Sequence, residues 1–165
     1  MPVLREKLPG VKFLIYGASL PSTFEKIESD DVIMKGYVKD LWEVFKSCRV
    51  FVAPLLSGAG IKGKVIEALS YGIPSVLSPI AAEGTGIRNG YEALIAEKPE
   101  EFTDAVYKLY TDKKLWEKIS KNALDFVKSE YSFEKGQEKA RKALGMVDIY
   151  VPENVQAMFM RKWNG

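Results

Sequence analysis

Apolar and polar positions alternate along the chain in two distinct rhythms. Short continuous apolar runs at Val11–Tyr16, Val32–Met34, Val50–Ala53, Ser75–Leu77 and Ala93–Ala96 read as buried strands. The second run is predicted to continue through Tyr37 and Val38, interrupted at Gly36. Between these runs the apolar residues recur at helical spacing. Helices are predicted from Pro21 to Ser29, after a cap at Asp40, from about Gly63 to Tyr71, and from Pro99 through Tyr110. Two more follow, from Leu115 to about Tyr131 and from Phe133 to Leu144. The stretch PIAAEGTGIRNGYEA, rich in small residues, is expected to be a loop. Strands alternating with helices predict an α/β fold, a parallel sheet of five to six strands with helices on both faces. Ligands of such sheets bind beyond the carboxyl ends of the strands, where the loops after Gly17, Val38, Pro54 and Ser78 fall.

One stretch organises the rest: PLLSGAGIKGKVIEALSYGIP, Pro54 to Pro74. It leads from a strand through Gly58, Gly60 and Gly63 into a helix that Gly72 and Pro74 stop. Glycines let a backbone approach a ligand closely, and a helix N-terminus offers unpaired N–H groups with partial positive charge. Lys62 and Lys64 add two full charges at the same end, so a compensating anion is expected there. At about 100° per residue, Gly60, Lys64, Glu67 and Tyr71 share one stripe, with Val65, Ile66 and Leu69 on the core-facing side. A solvated helix face behind a flexible loop is the plainer alternative. GAGIKGK also fits part of a P-loop, but Val65 stands where that motif needs a hydroxyl for Mg²⁺. No later strand ends in an Asp that could be the second metal ligand.

The same residues resemble the donor-binding half of GT-B glycosyltransferases of the group 1 type. Glu67-Ala68, Gly72 and Pro74 stand where that pattern wants them, and IYG, KGYV and FVAP extend the likeness over residues 8 to 135. The earlier of the paired glutamates common in such domains would fall at Ala59, so only the second is present. The resemblance implies a Rossmann-like three-layer α/β/α domain and a nucleotide-sugar as donor substrate. By resemblance, Glu67 accepts the ribose diol, as a carboxylate can accept two hydrogen bonds at once. Gly58, Gly60, Lys62 and Lys64 sit against the diphosphate, Tyr37 and Val38 hold the base, and Glu83, Gly84, Thr85 and Gly86 face the sugar. Gly17 completes the donor-binding set. Lys64 and Glu67 are the only candidates for a catalytic role, and no cofactor or metal is expected. A stand-alone nucleotide-binding or scaffold module without turnover is the alternative.

Composition narrows the field. The 165 residues, 47% hydrophobic and 28% charged, are predicted to form one globular domain. A net charge of +2 is too small and dispersed to point to nucleic acid. Zero histidine removes the commonest general base and metal ligand. The single cysteine, Cys48, excludes an internal disulfide and fits the cytoplasm. No stretch is long and apolar enough to span a bilayer, and the N-terminus does not read as a signal peptide.

Relatives use two similar domains, so an acceptor-binding domain or subunit outside this chain is the expected partner. Their donor domain also begins with a strand that is missing ahead of Val11. The tail, residues 145–165, carries strand-like Val147–Val151 and then Val155, Met158, Phe159 and Trp163 at helical spacing. This pattern resembles the missing strand and helix, and RKWNG reads on into MPVLREKLPG as one helix. The chain is therefore expected to be circularly permuted. The tail strand would lie centrally, between the Val11–Tyr16 and Val50–Ala53 strands, within one chain or by exchange in a homodimer.

Overall fold

The computed structural model describes residues 1–18 and 27–147. Contacts divide the chain into two compact units, Met1–Phe126 and Val127–Gly165.

The first unit opens with α1 (Pro2–Lys7), β1 (Phe13–Tyr16), β2 (Val32–Gly36) and α2 (Leu41–Phe45). It continues through β3 (Phe51–Ala53), α3 (Gly63–Ser70), β4 (Ser75–Leu77), α4 (Pro79–Ala82) and β5 (Leu94–Ile95) to α5 (Pro99–Thr111). The next helix, α6, spans Lys113–Glu130. The predicted boundaries of α2, α3 and α5 hold within a few residues, where Asp40, Gly72 and Pro99 fixed them. Asp40 accepts the Trp42 N–H at 2.9 Å and starts α2. Gly72, at φ 70°, ends α3 in the left-handed conformation that glycine adopts without strain.

Every strand pairing is parallel, as the alternating pattern requires. The five strands form two sheets, one of β1 and β2 and one in the order β3-β4-β5. Among the described residues β1 pairs only with β2, and β3 only with β4. Of the expected central strand, Val147–Val151, the structure describes only Val147, in a turn whose N–H returns to the Leu144 carbonyl at 3.1 Å; the rest of it, the helix after it and the permutation they imply lie outside the described residues. Most of the predicted Pro21–Ser29 helix lies outside them as well.

Helices cover both faces of the β3–β5 sheet, and neighbouring strand residues show it. Val52 packs into a core of Val76, Ala105, Val106, Leu109 and Ile119, which joins β4 to α5 and α6. Phe51 points the other way, toward Phe45, Ala68 and Ile73, the core shared by α2 and α3. This is the three-layer arrangement. β4 is buried along its whole length, whereas the residues of β1 are all partly exposed. Cys48 is a free, half-buried thiol, and burial pushes its pKa up.

Three local expectations change. β2 stops at Gly36, where φ is 66°, so Tyr37 and Val38 leave the strand. Ser29 is not helical: it exchanges backbone hydrogen bonds with Val32 across the Asp30–Asp31 turn. The small-residue stretch after Ser78 contains one helical turn, α4. Ser78 caps it by accepting the Ala81 N–H, and Pro79 suits its first position.

In the second unit α7 (Phe133–Gly145) is capped by Ser132, whose hydroxyl accepts the Lys135 N–H at 3.2 Å. Lys139 pairs with Glu130 and lies over the Tyr131 ring.

Candidate functional site

The site is built on α3, whose sequence divides cleanly into a buried and an open side. Val65, Ala68 and Leu69 are buried, Lys64 is exposed, and Glu67 is half-buried. The predicted stripe therefore holds for Lys64 and Glu67, while Gly60 lies in the loop ahead of the helix, which begins at Gly63. At its far end Tyr71 joins an aromatic cluster, 5.7 Å from the Trp42 ring and 5.0 Å from that of Phe45, and so serves packing.

Ahead of the helix, residues Pro54 to Ile61 are all exposed. Gly58 and Gly60 hold φ of 141° and 69°, which only glycine adopts at little cost. The loop wraps around the Lys62 side chain. Its ammonium donates to the Gly60 carbonyl at 2.5 Å, and its Cε lies 3.2 Å from where a Cβ on Gly58 would stand. Lys62 is the N-cap of α3 but offers no side-chain acceptor, and no acidic residue stands in the first turn. The Val65 N–H returns to the Lys62 carbonyl at 2.9 Å, so the Gly63 and Lys64 N–H groups keep their partial positive charge.

Among the described residues Lys64 and Glu67 form no ion pair, with each other or with any other group. Two opposite charges one turn apart commonly pair on a helix surface. Here both remain available, beside a loop of open glycines.

The loop after β4 meets the glycine loop. The Ser78 hydroxyl donates to the Leu55 carbonyl at 2.7 Å, and Ile61 reaches within 3.9 Å of the Cβ position of Gly84. The loop that carries Glu83, Gly84 and Thr85 thus lies against the glycine loop at Leu55 and Ile61. Glu83, Gly84 and Gly86 are exposed. Thr85 is buried, its hydroxyl donating to the Ala82 carbonyl at 2.5 Å and accepting the Ile87 N–H at 3.2 Å.

Gly17, Tyr37 and Val38 form a separate group at the ends of β1 and β2, where the Gly17 N–H donates to the Gly36 carbonyl at 2.9 Å. Tyr37 is 73% exposed. Among the described residues no hydrogen bond or ring contact joins this group to the glycine loop. Nor do any His, Cys, Asp and Glu residues cluster closely enough to hold a metal ion there. Sequence reasoning missed Ser78, which ties the two loops, although the Ser-Pro dipeptide signals a helix start. It also missed that Glu92 is buried and bonded by Arg88, for which the i, i+4 spacing of the two was the available clue.

The sequence model of the glycosyl transferases of group 1 matches residues 1–112. The chain belongs to this family. A relative from Klebsiella pneumoniae, an uncharacterized 44.6 kDa protein in the cps region, is 24% identical over 143 residues. That match takes in 81% of this chain and 37% of the relative. Anabaena HepE, solved in complex with UDP, superposes with a TM-score of 0.74 at 13% identity, over 88% of this chain and 45% of its own. The C-terminal domain of the group 1 glycosyl transferase LpcC from Francisella tularensis gives a TM-score of 0.69 at 20% identity, over 79% and 75%. These likenesses show the fold, the Rossmann-like half of a GT-B glycosyltransferase. This group 1 chain spans less than half the length of its Klebsiella relative and of HepE. Among the described residues, no helix is long and apolar enough to cross a membrane.

Proposed function

We propose that the chain is the donor-binding half of a glycosyltransferase and holds a nucleoside diphosphate sugar on the open face of α3. Lys64 and Glu67 carry this reading: a free ammonium and a half-buried free carboxylate, side by side behind a glycine loop. The diphosphate lies against Gly58, Gly60 and the first-turn N–H groups, with Lys64 and Lys62 as counter-charges. Glu67 accepts the ribose hydroxyls, and Tyr37 and Val38 approach the base. As the glycosidic bond breaks, negative charge grows on the departing nucleoside diphosphate. Fixed ammonium and N–H groups stabilise that charge more than they stabilise the bound donor, which lowers the barrier. Two lysines and a helix N-terminus meet this need without a metal ion. The acceptor, and the base that activates it, come from a domain or subunit outside this chain.

Ala59 favours a second reading, binding without turnover, because the glutamate that relatives place there is missing. Release of free sugar, or its transfer, by the chain with a supplied acceptor domain separates the two.

Calorimetric titration with UDP, GDP and ADP and their sugar conjugates, with and without Mg²⁺, tests the proposal. One nucleoside diphosphate should bind equally well in both conditions. Glu67→Ala should weaken it about tenfold or more, the scale of losing hydrogen bonds to a charged acceptor, with an unchanged melting curve. Absence of binding by all three nucleotides, or unchanged affinity in Glu67→Ala, contradicts it.

A further inference from the structure

Glu92 is the one charged side chain buried among the described residues, 1% exposed. A carboxylate is held in a protein interior only where its charge is met, and here one residue meets it. The Arg88 backbone N–H donates to Oε2 at 2.8 Å. The Arg88 guanidinium donates from Nε to Oε1 at 3.0 Å and from Nη2 to the same oxygen at 2.5 Å. Arg88 itself is 66% exposed, with its guanidinium 4.1 Å from the centre of the Tyr91 ring. The backbone closes the same knot: the Tyr91 and Glu92 N–H groups both return to the Arg88 carbonyl, at 3.2 and 3.3 Å.

An apolar side chain in this position would avoid the desolvation cost of a buried charge, and such replacements are often neutral or stabilising. What a carboxylate adds is a fixed acceptor for the Arg88 amide. That amide ends the segment Glu83–Ile87, whose other end is fixed by α4 and whose Gly84 lies against Ile61 of the glycine loop. We propose that Glu92 is a positioning residue. Through Arg88 it sets the loop Glu83–Ile87 where it lines the sugar end of the donor pocket, so it governs preference for a nucleotide-sugar over the bare nucleotide. The inference rests on the donor-binding reading for the identity of the ligand, but the positioning itself is measurable in the free protein.

Wild type, Glu92→Gln and Arg88→Lys are compared in two measurements. Hydrogen exchange of the free proteins should show the Ile87 and Arg88 amides opening about tenfold faster in Glu92→Gln, with α3 and α5 unchanged. Calorimetry uses whichever pair the wild type binds best among UDP and UDP-glucose, GDP and GDP-mannose, and ADP and ADP-glucose. Glu92→Gln should bind the bare diphosphate within twofold of wild type and lose about fivefold or more on the sugar conjugate. Arg88→Lys keeps the charge but not the fork and should show the same pattern at smaller size; should Glu92→Gln not fold, it carries the test. Equal weakening of both ligands overturns the proposal, as does unchanged exchange at Ile87 and Arg88. A wild type that binds none of the probes refutes the donor-binding reading and the specificity role with it, and the exchange data alone then decide whether Glu92 sets the loop.

Discussion

Two loops leave the carboxyl ends of neighbouring parallel strands in this protein, and they are built on opposite principles. The loop after β3 is open. Leu55 to Gly60 are exposed, Leu56 at 91%, and the loop's own side chains supply one bond, from Lys62 to Gly60. The loop after β4 turns its side chains inward. Thr85, Ile87 and Glu92 are buried, and hydroxyl and carboxylate groups satisfy the backbone around them. Both use glycines at positive φ, at 58 and 60 in one and at 84, 86 and 90 in the other. Glycine therefore does not tell them apart; the destination of the polar side chains does. The open loop leaves the Lys64 ammonium beyond it uncommitted, and the closed one is a wall, its polar side chains tied to its own backbone.

The largest effect comes from breaking the wall. Thr85→Val keeps the shape but removes the hydroxyl bond to the Ala82 carbonyl and leaves the buried Ile87 N–H without its acceptor, and should cost about 2 kcal/mol in chemical denaturation. A loss below about 0.5 kcal/mol would mean that the wall is not held by its buried hydroxyl. Untying the two loops is next. Ser78→Ala removes the cap of α4 and the bond to the Leu55 carbonyl, and should cost about 1 kcal/mol. It should also speed hydrogen exchange in residues 55–60 more than in 84–88. Equal change in both would show that the loops move as one.

Acid gives the smallest effect and sharpens the contrast. The Arg5 guanidinium, bonded to Asp31 at 2.6 Å, and then the Ser29 hydroxyl hold the Asp31 carboxyl well below the usual carboxylate range. A depressed carboxylate stabilises the fold fully above its ordinary pKa, and the contribution is lost as pH falls through that value toward the folded one. The pair is exposed, so solvent screens it and the effect is small. Melting followed from neutral to strongly acidic pH should fall less steeply in Asp31→Asn than in wild type. The open loop contains no ion pair among the described residues and should show no such limb. Parallel acid limbs in the two proteins would remove Asp31 from the account.

Much of this contrast was legible in one direction only. The open loop could be read because its signals are local: three glycines, two lysines, and a helix whose apolar face put Lys64 and Glu67 outside. Asp40, Gly72 and Pro99 likewise marked helix ends through chemistry carried by the residue itself. The wall could not be read this way. Thr85 has the same side chain whether it faces a ligand or its own backbone, and only the path of the chain decides. Glu92 looks like a surface residue until the chain folds it into the Arg88 knot. The division of the strands into two sheets depends on pairing between distant segments, which strand-like composition does not specify. The tail pattern at Val147–Val151 implied a central strand for that division, and all of that segment but Val147 is outside the described residues.

Backbone NMR of the labelled protein, titrated with the nucleoside diphosphate it binds best and then with the matching nucleotide-sugar, tests the central claim most directly. The account predicts that the diphosphate shifts the amides of residues 58–64 and Glu67, and that Lys64→Met weakens this response about tenfold while leaving the spectrum otherwise intact. The sugar conjugate should add shifts at Glu83, Gly84 and Gly86. Shifts confined to other surfaces, or an unaltered response in Lys64→Met, would contradict it.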